Sequence, residues 1–352
     1  MRIRVGNREV GEGASTFVVA AIGSNHDGSY ERARRLIDLA AEAGADAVKF
    51  HSYRADSLLT RRCRRADGAW QSVEDYDVVE RLELPVRWHA PLRDHARARG
   101  LLFLSSPGDE GRANLLAALG VPAFRVASGD LTHLPLLEAL AGFGRPVLLS
   151  TGFASETEIA EALAALERGA GGRARRPPVV LLHCGALRPL RPRDANLRVL
   201  GALRDRFGEL TGWSDHSEGS TLALGAVALG ACIVEKHLTD DRSRVGGDHA
   251  LSMQPDDFRA LVAGVREIEC ALGDRDGLTR GADAGARAAV RRSVHAARSL
   301  PAGSVLEEAD LKVVRPATGD PPAALTRLIG CRLVRRLAVD EPVRAADCVQ
   351  QP

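Results

Sequence analysis

The feature that most restricts the fold is an alternation: eight apolar runs of strand length are each followed by a longer segment with apolar residues at helical spacing. The runs are FVVAAIGSN (17–25), DAVKFHSY (46–53), LLFLSSP (101–107), AFRVASGD (123–130), PVLLSTG (146–152), VVLLHC (179–184), LTGWSDH (210–216) and CIVEKHLT (232–239). Segments such as SYERARRLIDLAAEAG and SETEIAEALAALERG supply the helices. Strands that alternate with helices pair in parallel, so eight units predict an α/β fold, a closed (β/α)8 TIM barrel. A doubly wound open sheet is the rival. That fold carries a glycine-rich phosphate turn after its first strand, and IGSNHDG does not match GxGxxG.

The barrel pattern accounts for residues 1–273 of a 352-residue chain. Within it, the stretch 54–85 is longer than a strand-to-helix loop needs, and its TRRCRR run reads as a solvated surface excursion or lid. Residues 274–290 lose apolar periodicity and gain glycine and charge, which reads as a linker. Residues 291–352 hold short β-like runs broken by turns, enough for one small β-rich module. Lys and Arg total 48 against 46 Asp and Glu, a net charge of +2, which gives no electrostatic reason to expect nucleic acid or an anionic membrane. A small-molecule substrate is the expected partner. The six cysteines include no CxxC pair, and no apolar run reaches membrane-spanning length, so a reduced, cytoplasmic, unexported protein is expected.

In a barrel of this kind the active site lies where the strands end. Those ends are uniformly polar: Asn25 and His26, Lys49 and His51, Ser105 and Ser106, then Arg125, Ser128 and Asp130. Ser150 and Thr151, His183, Ser214, Asp215 and His216, and Glu235, Lys236 and His237 complete the series. Lys49 and Arg125 with the hydroxyls of Ser106, Ser128 and Ser150 suit a carboxylate and a phosphate, because fixed cations and donors match those oxyanions. His216 and His237, on neighbouring strands, suit a divalent ion with positions left open for water or substrate. A strand-end serine is as often a turn or cap as a ligand, and His183, flanked by leucines and Cys184, reads as a packing residue.

The motifs IGSNHDGS, AGADAVKF, VPAFRVASGDLTHLPLL, VLLSTGFAS, LLHC, WSDHSEG, ALGACIVEKHLT, GGDHALSMQPDDF and VVRPATGD, in this order, resemble the sialic acid synthase family. The resemblance covers nearly the whole chain. It implies a barrel followed by an antifreeze-like (SAF) domain, in a domain-swapped homodimer. It also implies condensation of phosphoenolpyruvate with a sugar aldehyde to give a 2-keto-3-deoxy sugar acid and phosphate. By the same resemblance a divalent metal, manganese or alternatively magnesium or cobalt, would sit on His216 and His237, and Lys49 and Asp248 would join these two in catalysis. Lys49, Ser106, Arg125, Ser128, Ser150 and Ser214 would line the phosphoenolpyruvate site. Asn25, His51, Asp130, Arg188 and Asp248 would approach the acceptor, with Arg315 supplied by the partner subunit.

The chain departs from the family pattern at four pocket positions. Ala21 stands where the family usually has glutamate, His51 where it has glutamine, Ala186 where it has asparagine and Arg188 where it has tyrosine. One carboxylate is lost and two side chains able to carry positive charge enter, which predicts an acidic or phosphorylated acceptor. The alternative is a member altered or inactive in catalysis that binds sugar or regulates.

Overall fold

The computed structural model describes residues 1–64, 69–73, 75–172, 176–185, 190–273 and 284–350. Each of the eight expected runs contains a strand: β1 Phe17–Gly23, β2 Ala47–Ser52, β3 Leu102–Pro107, β4 Phe124–Val126, β5 Val147–Ser150, β6 Val179–Cys184, β7 Leu210–Asp215 and β8 Ile233–His237. They form one parallel sheet in the order β3-β2-β1-β8-β7-β6-β5-β4. Its two end strands, β3 and β4, stand beside each other, which brings the sheet round into a barrel. The helices are α1 Tyr30–Glu42, α2 Val86–Ala98, α3 Glu110–Leu119, α4 Leu134–Gly142, α5 Glu156–Gly169, α6 Val199–Phe207, α7 Thr221–Ala228 and α8 Pro255–Leu272. Several start where the side chains dictate. Ser29 caps α1 by accepting from the Arg32 amide, and Ser155 with Glu158 forms a capping box on α5.

The period of two along each strand divides the core. Outward residues such as Val18, Val48, Phe103, Leu149 and Val234 pack under the helices. Inward residues Phe17, Val19, Ala47, Leu104, Ala123, Leu148, Leu182 and Ile233 fill the barrel's lower half. Gly212 belongs to this inner face because a Cβ there would stand 2.6 Å from Leu182 Cδ2 and 2.9 Å from Ile233 Cβ. A hairpin of Arg2–Val5 and Arg8–Gly11, not foreseen in the polar start of the chain, seals the bottom by adding Val5 and Val10 to the inner cluster. The stretch between β2 and β3 folds into two short helices, Ala55–Leu58 and Tyr76–Arg81, around a small hairpin.

The chain divides into two compact units, Met1–Leu272 and Gly273–Pro352. Of the expected linker, residues 274–283 lie outside the described residues, while Ala284–Val290 forms a helix. Its sequence AGARAAV is mostly alanine, and that high helix propensity needs no apolar periodicity. The small unit is β-rich as expected, with antiparallel pairs Ser293–Ala296 with Leu311–Val314 and Arg332–Leu333 with Cys348–Val349. Val294, Leu306, Leu328, Leu337 and Val343 form its core. Among the described residues no helix is long and apolar enough to cross a membrane.

Candidate active site

The alternation that fills the barrel also builds the site. Two residues beyond the inner apolar layer, each strand presents its next inward position: Ala21, Lys49, Ser106, Arg125, Ser150, Cys184, Ser214 and Glu235. This ring forms the floor of the mouth at the C-terminal strand ends. Except for Ala21 and Cys184 it is polar, and all of it is buried.

Glu235 is the hub of the floor. Its Oε1 accepts from Arg125 Nη2 at 2.8 Å, from Ser214 Oγ at 3.1 Å and from Lys49 Nζ at 3.3 Å, and its Oε2 accepts from Arg125 Nε at 3.3 Å. Arg125 Nη2 also reaches Ser214 Oγ at 3.3 Å. Burial alone would raise the Glu235 carboxyl, but Arg125 and Lys49 hold it well below the usual carboxylate range. Burial pushes the Lys49 ammonium down to about 8, against the pull of Glu235. The cluster therefore sets two cations against one carboxylate. Along one side, Ser128 Oγ donates to Ser150 Oγ at 3.0 Å and accepts from the Gly152 amide at 3.1 Å. Ser106 Oγ is buried and has no hydrogen-bond partner among the described residues, which makes it a donor available to a ligand.

His216 and His237 lie above this floor with ring centroids 5.3 Å apart. His216 Nδ1 is 3.1 Å from the Gly185 carbonyl. A carbonyl only accepts, so Nδ1 carries the proton and Nε2 keeps its lone pair, the arrangement a metal-binding imidazole needs. Asp248 Oδ2 is 3.6 Å from His237 Nδ1. Among the described residues no group of three His, Cys, Asp or Glu side chains is arranged to hold an ion. His216 and His237 offer two imidazole donors, and an ion held there would draw its other positions from water or substrate.

His51 occupies the same corner. A Cβ on Gly23 would stand 3.3 Å from His51 Nε2 and 3.5 Å from Asp248 Oδ2, so the left-handed glycine, φ +55°, leaves room for both side chains. Burial, then the charge of Lys49, pushes the His51 imidazole well below its ordinary value. It is neutral at pH 7 and adds no positive charge.

The remaining expected residues are placed differently. Asn25 gives its amide to the 238–252 loop: Nδ2 donates to the Leu238 carbonyl and Ser252 Oγ, both at 2.9 Å, and Oδ1 accepts from the Asp248 amide at 2.9 Å. Asp27 faces His249 Nε2 at 2.9 Å and also pairs with Arg32. The Ser24–Asp27 run therefore anchors the loop that carries Asp248. Asp130 lies in the turn Ser128–Asp130, where burial raises its carboxyl. His183 faces outward, packs on Trp213 and holds the Ala195 carbonyl at 2.9 Å. Arg188 and Ala186 lie outside the described residues. Arg315 is exposed on the small unit.

Two functional positions escaped the sequence reading. Glu235 was visible only as one of several polar residues ending β8, although its inward register with Lys49 and Arg125 was there to be counted. Cys184, read as packing, has its Sγ 3.7 Å from His216 Nδ1.

A parallel barrel with a buried, cation-rich floor beneath two imidazoles has the donors an anion would meet. Comparison with known proteins narrows this. Residues 36–277 match the NeuB family and residues 291–349 match the SAF domain. The N,N'-diacetyllegionaminic acid synthase of Campylobacter jejuni is 34% identical over 335 residues, 94% of this chain and 99% of that protein. The human N-acetylneuraminate-9-phosphate synthase is 31% identical over 344 residues, 96% of this chain and 93% of its own. The crystal structure of N-acetylneuraminic acid synthetase from Leptospira borgpetersenii in complex with citrate is 32% identical, with a TM-score of 0.72 over 81% of this chain and 93% of its own. The chain belongs to the NeuB family. The expected family, its barrel with a C-terminal SAF domain, and the expected class of enzyme, a sialic acid synthase-like transferase, are borne out.

Proposed function

We propose that this enzyme condenses phosphoenolpyruvate with an amino-sugar-type aldehyde, giving a 2-keto-3-deoxy sugar acid and phosphate. The observation that carries the reading is the floor of the mouth. Lys49 and Arg125, aligned by Glu235 and surrounded by the hydroxyls of Ser106, Ser128, Ser150 and Ser214, suit the carboxylate and phosphate of one small molecule.

With that anion held, its C3 is presented to the aldehyde carbon of an acceptor in the upper mouth. As the new C–C bond forms, negative charge moves to the aldehyde oxygen. Asp248 and neutral His51 share that corner, so the proton that water loses on adding at C2 could pass through them to that oxygen, which balances the step. Water adds at C2, the bond between C2 and the bridging oxygen breaks, and Lys49 and Arg125 stabilise the departing phosphate. A divalent ion, manganese with magnesium or cobalt as alternatives, would be held by His216 and His237 and would supply Lewis-acid polarisation of the acceptor's carbonyl.

His51 supplies a neutral imidazole, so it gives no support to an anionic acceptor; an uncharged N-acylated amino sugar fits the corner as well as a phosphorylated one. We also propose a cytoplasmic homodimer in which Arg315 of one protomer reaches the other's mouth. Deleting residues 291–352 would then abolish both dimerisation and turnover. The direct test is phosphate release from phosphoenolpyruvate with manganese and a panel of neutral and phosphorylated amino-sugar aldehydes. Acceptor-dependent release with at least one member supports the reading. No release above the phosphoenolpyruvate-only rate with any member overturns it in favour of a binding protein.

A further inference from the structure

The barrel has one seam that its backbone does not close. Every other pair of neighbouring strands is joined by a ladder of hydrogen bonds, and among the described residues none joins β3 to β4. At the lower end of this seam, away from the mouth, lies a cavity of about 590 Å³. Leu102 and Phe103, at the start of β3, line it together with Val121 and Pro122, just before β4. Arg93 and Arg97 of α2, Leu119 at the end of α3, and Asn7 in the turn of the N-terminal hairpin complete the lining on which the argument rests. None of the mouth residues borders it.

Most polar groups around the apolar walls are already spent. Arg93 Nη1 donates to the Leu119 carbonyl at 2.7 Å, and its Nη2 pairs with Asp94 at 2.7 Å. Arg145 occupies the Leu116, Ala117 and Val121 carbonyls. The amides of Gly100, Leu101, Gly120 and Val121 bond back to carbonyls of α2 and α3. There remain the Arg97 guanidinium and the Asn7 amide, neither of which has a side-chain hydrogen bond or ion pair among the described residues. A guanidinium with no carboxylate of the protein to pair with selects an anion, and its planar fork matches a carboxylate. The apolar walls select what that carboxylate is attached to. A polyhydroxylated sugar acid is a poor occupant, because only Asn7 is left to satisfy its hydroxyls. We propose that this cavity is a second small-molecule site, distinct from the mouth, for a carboxylate with an apolar body. The carboxylate lies on Arg97, and the body packs on Leu102, Phe103, Leu119 and Pro122. Its volume is within the range of about 300–1,000 Å³ usual for such sites.

Octanoate is the probe, and octanamide, which keeps the body and loses the charge, is its control. In calorimetric titration of the full-length protein, octanoate should bind with a Kd below about 1 mM, the affinity that about ten heavy atoms supply at ordinary ligand efficiency. Octanamide should bind about tenfold more weakly, and Arg97→Gln should weaken octanoate about tenfold while leaving octanamide unchanged. The floor of the mouth also attracts carboxylates, so the titration is repeated with phosphate saturating Lys49 and Arg125. Binding in the cavity should persist there. Leu119→Trp, which fills the cavity from a half-buried position, should abolish binding of both probes. Arg97 is exposed, so the decisive variant removes no buried contact, and circular dichroism checks that both variants fold. The proposal is overturned if octanoate does not bind, if phosphate displaces it, or if Arg97→Gln binds it as tightly as wild type does; the first two outcomes need no variant.

Discussion

Replacing Glu235 with glutamine tests the floor of the mouth, because it removes a charge while keeping the shape. In the wild-type protein this carboxylate accepts two bonds from Arg125, at 2.8 and 3.3 Å, and one each from Lys49 and Ser214, at 3.3 and 3.1 Å. Glutamine keeps one carbonyl acceptor, but its NH2 then faces the Arg125 Nε–H or the Lys49 ammonium, donor against donor. Breaking a buried ion pair from one side costs about 3–5 kcal/mol, and the retained acceptor puts Glu235→Gln near 3 kcal/mol. The two cations left behind are both less than 5% exposed, so they seek an anion.

Stability and anion affinity should therefore move in opposite directions. Urea unfolding at pH 7 followed by tryptophan fluorescence reports on the barrel, since Trp213, fully buried, precedes Ser214 in β7. Glu235→Gln should lose about 3 kcal/mol without phosphate and regain more of it with phosphate than wild type does. A tenfold tightening of phosphate binding corresponds to about 1.4 kcal/mol of additional stabilisation at saturating anion. A loss below about 1 kcal/mol, or phosphate stabilisation equal to wild type, would falsify the view of Glu235 as the counter-ion that aligns the two cations.

Lys49 should give a pH signature of its own. Its ammonium has an ordinary value of 10.5 and sits at about 8 in the fold, so between these limits the unfolded chain binds more protons and Lys49's contribution to stability rises with pH. The affinity for phosphate should fall over the same range as the cation is lost, and Lys49→Met should abolish both trends when titrated in parallel. Asn25→Ala leaves the Leu238 carbonyl, the Asp248 amide and Ser252 Oγ short of a partner; a loss of about 3 kcal/mol is expected in urea unfolding, with turnover falling because Asp248 is loosened. Lys236 and Asp215 form a fully buried pair at 2.8 Å. Lys236→Met should cost about 3–5 kcal/mol, and the double variant with Asp215→Leu should recover only part of that in the same assay, because buried Ser217 then loses the partners of its amide, hydroxyl and carbonyl. If His216 and His237 hold manganese as proposed, manganese should raise the wild-type thermal midpoint and His216→Ala should lose that rise, on top of a metal-independent loss from removing a buried imidazole bonded to the Gly185 carbonyl.

The barrel was legible in the sequence because its two signals are local. The period of two along a strand and the helical spacing after it are each read within a dozen residues, and all eight runs contain a strand. The ends were less legible. The expected fourth strand, 123–130, stops at Val126 because Ser128–Asp130 turns into a 3-10 helix. The N-terminal hairpin was missed although Gly6 and Asn7 mark its turn; with four-residue strands, only packing on Leu102 and Pro122 shows that the turn closes the barrel floor.

The site divides along the same line. Strand-end counting finds which residues line the mouth, since position along a strand sets height in the barrel. It cannot say which of them face one another, because that depends on pairing across as many as 186 residues, as between Lys49 and Glu235. Glu235 and Asn25 mark the two consequences. Glu235 is one polar residue among three at the end of β8, and only the closed ring shows that Lys49, Arg125 and Ser214 converge on it. Asn25 has the chemistry of a ligand contact, yet its three hydrogen bonds run to a loop more than 210 residues away. Its role is to place Asp248, and substituting it should therefore loosen that loop before it alters anion binding at the floor.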